Sequence, residues 1–210
     1  MTKQVPYVIT ISRQLGSGGA FIGQRLAAEF GISYADRDIL EHAAESLQVR
    51  ADIVEARDES APSFIDKVLE SFMFGVPEAP CAPTLEMPSY SELQKAESSV
   101  ILEIASRRSA VIVGRAGFHL LANHPRHLSV FLYADLPFRV NRVEELYNLS
   151  REQALRVIDE SDRARGRYLL GLTGRPWTDT VQYDISLCTS SIGLMLAGRV
   201  LCDTVRTHFR

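Results

Sequence analysis

A short apolar run followed by a cluster of glycines is the feature that most constrains this fold. Residues 7–11 read YVITI, and such a β-branched run is typical of a buried strand. The glycine cluster at 16–19 ends the run. Ile22, Leu26 and Phe30 then recur every four residues, which indicates one apolar face of a helix. The chain therefore begins with a predicted strand, a glycine-rich loop and a predicted helix.

Further apolar runs alternate with amphipathic helical patterns along the rest of the chain. The runs predicted as strands are 32–35, 110–114, 128–133 and 184–189. Strands that alternate with helices favour an α/β fold, in which a parallel sheet has helices on both faces and binds ligands at the carboxyl ends of its strands. We therefore expect four loops to meet at that edge, namely 12–19, 34–38, 114–117 and 189–191.

The length of 210 residues fits a single domain, spanning 1–210, that includes a small insert or lid. Residues 58–91 have a weak helical pattern interrupted by five prolines. This composition favours a mobile insert over a second globular domain. A second possibility is that the stretch from Pro77 to Pro88 docks a partner protein.

Charge and composition exclude several classes of function. The net charge of −3 gives no bulk attraction to nucleic acid. The chain has no signal segment and no run of about 18 apolar residues, so we expect a cytoplasmic protein that does not contact a membrane. Its three cysteines lack CxxC spacing and its five histidines lack HxxxH or HxH spacing, so no metal site is predicted from them. These features do not determine the oligomeric state.

The glycine loop has the composition of a phosphate-binding loop. A loop that opens a helix can direct several backbone N–H groups at an anion, and the helix N-terminus adds a partial positive charge. Glycine also permits positive φ and a close approach to phosphate oxygens. The candidate binding residues are Gly16, Ser17, Gly18 and Gly19. The alternative is a tight turn between strand and helix that binds nothing.

The loop departs from the full Walker pattern GxxxxGK[ST]. With Gly18 as its second glycine, the lysine position holds Gly19 and the hydroxyl position holds Ala20, while Arg13 stands in place of the first glycine. The usual cation and the usual magnesium-binding hydroxyl are therefore both missing. Arg13 could supply the charge, because a guanidinium is suited to bidentate phosphate contacts, or it could be an exposed loop arginine.

Five segments resemble, in order, those of the cytidylate-kinase-like family of P-loop kinases. They are ITISRQLGSGG at 9–19, YADRDIL at 34–40, VIVGRAG at 111–117, DRARGRYL at 162–169 and YDISLCTSSIGL at 183–194. Together they span nearly the whole chain. The resemblance implies a three-layer αβα P-loop fold. It also implies Mg²⁺-dependent transfer of the γ-phosphoryl group of ATP to a nucleoside monophosphate, with CMP or dCMP as the first candidates.

The resemblance also implies which residues bind the acceptor. Asp36 and Arg37 would contact the acceptor nucleotide or organise its metal, and Arg115 would hold the acceptor phosphate. The insert 58–91 would belong to the acceptor-binding region. From the residues alone, Asp36 could equally be a helix N-cap within a charged turn.

On the donor side, the resemblance implies an arginine-bearing lid in the region 151–182. Arg163 and Arg167 would fold from this lid onto the transferring phosphoryl group, and Thr189 and Ser190 would lie near the adenine. Both arginines also fit a solvated helix face, because Arg156, Glu160, Arg163 and Arg167 follow one helical stripe.

Two functions remain compatible with the sequence. The first is an active nucleoside monophosphate kinase. The second is a catalytically inactive nucleotide-binding or regulatory protein on a kinase scaffold. Gly19 and Ala20 favour the second, as does Ala116, which stands where cytidylate kinases have an aspartate.

Overall fold

A parallel five-stranded sheet forms the centre of the molecule. The computed structural model describes residues 5–36 and 90–210. The strands of this part are β1 (Val8–Arg13), β2 (Ser33–Ala35), β3 (Ala110–Val113), β4 (His127–Tyr133) and β5 (Ile185–Cys188). Their spatial order is β2-β3-β1-β4-β5, and every neighbouring pair is parallel. The predicted α/β fold with a five-stranded parallel sheet is therefore confirmed.

Helices lie on both faces of this sheet. In the described ranges they are α1 (Gly19–Phe30), α2 (Tyr90–Arg107), α3 (Gly117–Leu120), α4 (Leu136–Tyr147), α5 (Arg151–Thr173), α6 (Thr189–Ile192) and α7 (Leu194–His208). A 3₁₀ turn covers Thr180–Gln182.

Capping residues mark the ends of three of these helices. Gly31 ends α1 in the left-handed conformation. Ser150 and Gln153 form a reciprocal capping box at the start of α5. Asp135 caps α4 through the Phe138 amide.

Two apolar layers hold the helices on the sheet. On one face, α1 and α7 pack against β1, β3 and β4, with Ile22, Leu26 and Leu201 fully buried. On the other face, α2 packs Val100 and Ile104 against β3. Burying these side chains supplies the main driving force for the layered fold.

An aromatic cluster fixes the end of α5 to the face of β4. Phe131 stacks on Tyr183 with ring centroids 5.0 Å apart and meets Trp177 edge-on at 5.7 Å. Leu169 of α5 is buried in the same cluster. The Tyr183 hydroxyl donates to the Trp177 carbonyl at 2.7 Å, so the segment after α5 is tied down as well. Within the predicted lid region 151–182, α5 is therefore docked on the sheet.

Several expectations fall on residues outside the described ranges. These include Arg37, the helix expected after Asp36, and all but the last two residues of the insert 58–91. Those last two residues begin α2, which starts at Tyr90. In the part of the chain that the structure describes, no helix combines the length and apolar character that crossing a membrane requires.

Candidate functional site

The glycine loop leaves the sheet at the carboxyl end of β1 and opens α1. Gly16 and Gly18 have φ values of 84° and 89°, a conformation that favours glycine. A Cβ on Gly16 would lie only 2.8 Å from the Arg139 carbonyl oxygen, so α4 closes one side of the loop. Gly18 is the N-cap of α1 and provides no side-chain cap. The first amides of α1 therefore face the loop opening as potential anion donors.

Ser17 and Thr189 hold the shape of this loop. The Ser17 hydroxyl lies 2.8 Å from the Gln14 carbonyl and 3.1 Å from the Leu132 carbonyl, and its amide donates to Gln14 at 3.3 Å. Thr189 is fully buried, and its hydroxyl donates to the Ser17 carbonyl at 2.9 Å. Both predicted binding residues thus direct their hydroxyls at main-chain carbonyls.

Ser190 lies beside this arrangement, at the same edge of the sheet. Its hydroxyl accepts a hydrogen bond from the Asp135 amide at 3.1 Å and lies 3.3 Å from the Cys188 sulfur. The ends of β4 and β5 are therefore tied together next to the glycine loop. The expected meeting of the loops after β1 and β5 is present in the structure.

Arg13 extends from the end of β1 into the interior of the site. Its side chain crosses Gly19, because a Cβ there would lie 2.6 Å from Arg13 Cγ. The pKa of Arg13 is lowered to about 10, chiefly by burial; the charges of Arg165 and Arg115 contribute to the lowering, and those of Tyr34 and Asp36 oppose it. The guanidinium therefore stays cationic at neutral pH and lies within electrostatic range of charges from several elements.

Arg115 lies on a strained turn after β3. Gly114, Arg115 and Ala116 have φ values of 88°, 50° and 54°, so three consecutive residues are left-handed. Strain of this kind in residues other than glycine is typical of functional sites. Arg115 Nη2 lies 3.0 Å from Glu97 Oε1, and the Glu97 side chain is only 3% exposed. The predicted acceptor arginine is thus paired with a buried carboxylate of α2.

Glu97 is not among the site residues predicted from the sequence. Its signal was nevertheless present, because Glu97, Val100, Ile101 and Ile104 follow one helical stripe whose other members are apolar. A lone carboxylate within a core-facing stripe needs a partner, since burying an unpaired charge is costly. Arg115 is that partner.

Helix α5 directs Asp162 and Arg165 towards the site. Both lie on the face that also buries Ile158 and Leu169. Asp162 Oδ2 accepts from Arg139 at 2.5 Å and Oδ1 accepts from the Leu15 amide at 3.3 Å. Arg165 lies 3.4 Å from Asp162 and is close enough to affect the pKa of Arg13.

Arg163 and Arg167 lie on a more exposed part of α5 than Arg165, and Arg163 also borders a groove lined in part by Gln14 and Asp162. Both are exposed, and Arg163 Nε donates to Asp159 at 2.9 Å. Arg156 pairs in the same way with Glu152 at 3.2 Å. In this conformation the predicted stripe is a solvated, ion-paired helix face. Arg165 lies within electrostatic range of Arg13, and the charges that act on the Arg13 pKa do not include those of Arg163 or Arg167.

The residues offer Mg²⁺ only a partial binding set. The described ranges contain no group of three His, Cys, Asp or Glu side chains that could hold a metal ion. Ala20 provides no hydroxyl where the Walker pattern has one. Asp36 is a carboxylate at the site edge whose charge acts on Arg13. This set fits an ion that enters on the phosphates and keeps most of its waters, as Mg²⁺ commonly does.

A groove of about 620 Å³ lies between α4 and the start of α7. Its lining includes Phe138, Arg142, Ile192, Leu194 and Met195. Leu194 also packs directly against Gly18, so the groove adjoins the glycine loop. The groove therefore offers apolar and cationic surface beside the first turn of α1.

The sheet order and a glycine loop after β1 define the fold of the P-loop kinases. A shikimate kinase from Bacteroides thetaiotaomicron has a similar structure, with a TM-score of 0.52 and 11% identity over 95% of this chain and 98% of that one. An uncharacterized protein from Eubacterium ventriosum is more similar, with a TM-score of 0.71 and 19% identity over 95% and 98% of the two chains.

The family is shown by the sequence itself. The chain belongs to the cytidylate kinase-like family, which matches residues 8–191. No curated protein matches the sequence.

Proposed function

We propose that this protein transfers the γ-phosphoryl group of ATP to a nucleoside monophosphate, with CMP or dCMP as the first acceptors to test. One observation supports this most directly. Arg13 of β1 passes over Gly19 and Gly114 beside the uncapped start of α1, and the charges of Arg115 on the turn after β3 and of Arg165 on α5 act on it. Phosphoryl transfer depends mainly on positioning and on neutralising charge, and this arrangement provides both.

The donor phosphates are proposed to bind the glycine loop. The amides of Gly18 and Gly19 at the start of α1 would donate to phosphate oxygens, with the helix dipole adding to the attraction. Gly16 allows the turn, while Ser17 and Thr189 keep the loop in shape. The adenine would occupy the groove beside Leu194, close to Ser190.

The acceptor is proposed to bind on the opposite side of Arg13. Arg115 would contact its phosphate while Glu97 fixes the guanidinium. Asp36, with Arg37 next to it in sequence, would contact the acceptor nucleotide or a water of the metal ion. Bound Mg²⁺ would supply charge neutralisation on the phosphates. The chain's own task is to align the donor and acceptor groups and to exclude water.

For the lid, the geometry favours Arg165 over the two arginines predicted from sequence. Arg165 lies within electrostatic range of Arg13, whereas Arg163 and Arg167 are exposed and do not act on its charge while α5 is docked by the aromatic cluster. We therefore propose Arg165 as the cation that α5 contributes to the transferring group. Arg163 and Arg167 remain candidates only for a different, closed conformation.

A phosphotransfer screen tests this function. ATP and Mg²⁺ are supplied with CMP, dCMP, other nucleoside monophosphates and small alcohol acceptors, and the release of ADP is measured. Arg115→Ala should lose turnover mainly through a higher KM for the acceptor. Arg107→Ala is the matched control, because Arg107 pairs with Glu103 on the exposed side of α2. Release of ADP that never exceeds the background in the whole panel would contradict the proposal.

A second candidate is a nucleotide-binding regulatory protein that does not transfer phosphate. It is favoured by Gly19 and Ala20, which provide neither the lysine nor the hydroxyl of the Walker pattern, and by the inward-facing Ser17 hydroxyl. It predicts heat of binding for ATP in a titration without turnover of any acceptor. The absence of binding heat for every nucleotide would count against both functions.

A further inference from the structure

The Arg13 side chain occupies the space that a side chain at position 19 would need. A Cβ on Gly19 would lie 2.6 Å from Arg13 Cγ and 2.9 Å from Arg13 Cβ. These atoms are the ones nearest the Arg13 main chain, so they cannot move aside without relocating the whole side chain. Position 19 is the one that a Walker loop gives to lysine. In this protein, a side chain there is incompatible with the observed path of Arg13.

A second glycine borders the far end of the same side chain. Gly114, at the end of β3, has a φ of 88°, and a Cβ on it would collide with Arg13 Nη1. The guanidinium therefore passes closely over the main chain at the turn that presents Arg115. Glycines on two separate elements leave open the path that Arg13 takes.

The end of this path lies between the two halves of the site. The guanidinium interacts electrostatically with Tyr34 and Asp36 near the end of β2, with Arg115 after β3, and with Arg165 of α5. It thus lies on the line from the glycine loop to the predicted acceptor arginine. A cation in this position would contact the phosphoryl group that is transferred.

We propose that Arg13 is a catalytic residue that replaces the Walker lysine, and that Gly19 is a glycine because the Arg13 side chain occupies its space. The phosphate-neutralising cation is then supplied by β1 instead of α1. A guanidinium can contact two non-bridging oxygens at once, which an ammonium on a flexible stem does less specifically. This inference rests on the proposed phosphoryl transfer but makes its own prediction about anion binding.

The test is a cycle of variants with three measurements. The variants are Arg13→Ala, Gly19→Lys and the double variant Arg13→Ala/Gly19→Lys. The measurements are the affinity for inorganic tripolyphosphate by calorimetry, kcat with ATP and the acceptor from the screen, and the melting temperature. Gly171→Lys is the control for adding a lysine, since a side chain at Gly171 would meet no atom within 4 Å. Arg107→Ala is the control for removing an arginine.

We expect Arg13→Ala to weaken tripolyphosphate binding by at least about tenfold and to lower kcat by about a hundredfold or more. Gly19→Lys alone should also impair both, because the new side chain displaces Arg13. In the double variant the lysine can enter the vacated space, so both values should recover by at least about tenfold over Arg13→Ala. The two control variants should stay within about twofold of the wild type.

Several results would overturn the inference. One is tripolyphosphate affinity and kcat that are unchanged in Arg13→Ala, and another is a Gly19→Lys variant as active as the wild type. A folded double variant that is no better than Arg13→Ala would also count against it. If the melting temperature shows that Arg13→Ala is unfolded, Arg13→Lys takes its place. That variant should fold and lose at least about tenfold in kcat, and wild-type activity would contradict the inference.

Failure of the inference differs from failure of the proposed function. If the wild type binds tripolyphosphate through Arg13 but phosphorylates no acceptor, the kinase proposal fails and the phosphate-binding role of Arg13 stands. If the wild type transfers phosphate and Arg13→Ala does so equally well, the kinase proposal stands and the role of Arg13 fails.

Discussion

Glu97 Oε1 and Arg115 Nη2 lie 3.0 Å apart, and both side chains are largely withdrawn from solvent. The pair joins α2 to the strained turn after β3. The Arg115 side chain has several rotatable bonds, so its main chain alone does not fix the direction of the guanidinium, and the buried carboxylate of Glu97 helps to fix it. The position of α2 therefore sets the position of the proposed acceptor arginine.

Removing the charge of Glu97 should affect both stability and acceptor binding. Glu97→Gln removes the buried charge that lies 3.0 Å from Arg115 Nη2, and we expect a loss of about 3 kcal/mol in the free energy of unfolding. Glu103→Gln, on the exposed side of the same helix, should cost less than about 1 kcal/mol. Urea denaturation of both variants measures this difference.

In the kinetics, Glu97→Gln should raise KM for the acceptor far more than KM for ATP. A merely structural role would raise both alike or neither. Equal changes in the two KM values would therefore contradict a positioning role for Glu97.

The arginines of α5 should differ sharply in their contribution to turnover. Arg165→Ala removes a cation within electrostatic range of Arg13, and we expect kcat to fall by about a hundredfold. Arg163→Ala and Arg167→Ala remove exposed side chains and should change kcat by less than about threefold. Steady-state kinetics of the three variants decide the matter. The reverse order of effects would support a closed conformation in which α5 presents its other face.

Asp162 should be the carboxylate that keeps α5 docked on the glycine loop. It accepts hydrogen bonds from Arg139 and from the Leu15 amide, so Asp162→Asn should cost about 2 kcal/mol of unfolding free energy. Asp159→Asn is the matched control, because Asp159 is exposed and pairs only with the exposed Arg163 among the contacts described for it. Equal stability of the two variants in thermal unfolding would refute the docking role.

The stability of the protein should fall when the pH drops below neutrality because of His127. Its Nε2 lies 2.8 Å from Thr10 Oγ1. Burial lowers the pKa of His127 to about 4; Asp184 and a hydrogen bond with the Leu121 main chain oppose this, and His124 adds to it. The unfolded chain takes up the proton near pH 6.5, so the native state loses stability from about pH 6.5 down to about pH 4.

His127→Gln should flatten this part of the pH dependence. Unfolding free energies at pH 7 and pH 5 measure it, with His208→Gln as a control because His208 is exposed near the C-terminus. A decline between these two pH values that is as steep in His127→Gln as in the wild type would argue against His127 as its cause.

Local sequence patterns predicted most of the fold. The β-branched runs form the strands, and Gly31 and Ser150 act as local caps that end α1 and begin α5. These signals depend on neighbouring residues, which is why the sequence contains them. The three-layer P-loop fold was inferred from the resemblance of five segments to one family, whereas the order of the strands in the sheet was not predicted.

The site was harder to predict because its key contacts join distant residues. The sequence places Arg13 in the glycine loop but does not indicate that its side chain runs to Gly114, about a hundred positions further on. The arginines of α5 lie on different faces of the helix. The charged stripe that contains Arg163 and Arg167 was predicted to be the functional face. Ile158 and Leu169 are buried on the inner face of α5, and the helical spacing places Arg165 on that same face.

Transfer of labelled γ-phosphate in a single turnover tests the central claim most directly. Enzyme in excess is mixed with ATP labelled on the γ-phosphate, Mg²⁺ and CMP, and the products are separated over time. The account predicts that the label leaves ATP and appears on the acceptor in the wild type, and that Arg13→Ala slows this step by about a hundredfold. Label that stays on ATP with CMP, dCMP and every other acceptor tested would contradict it.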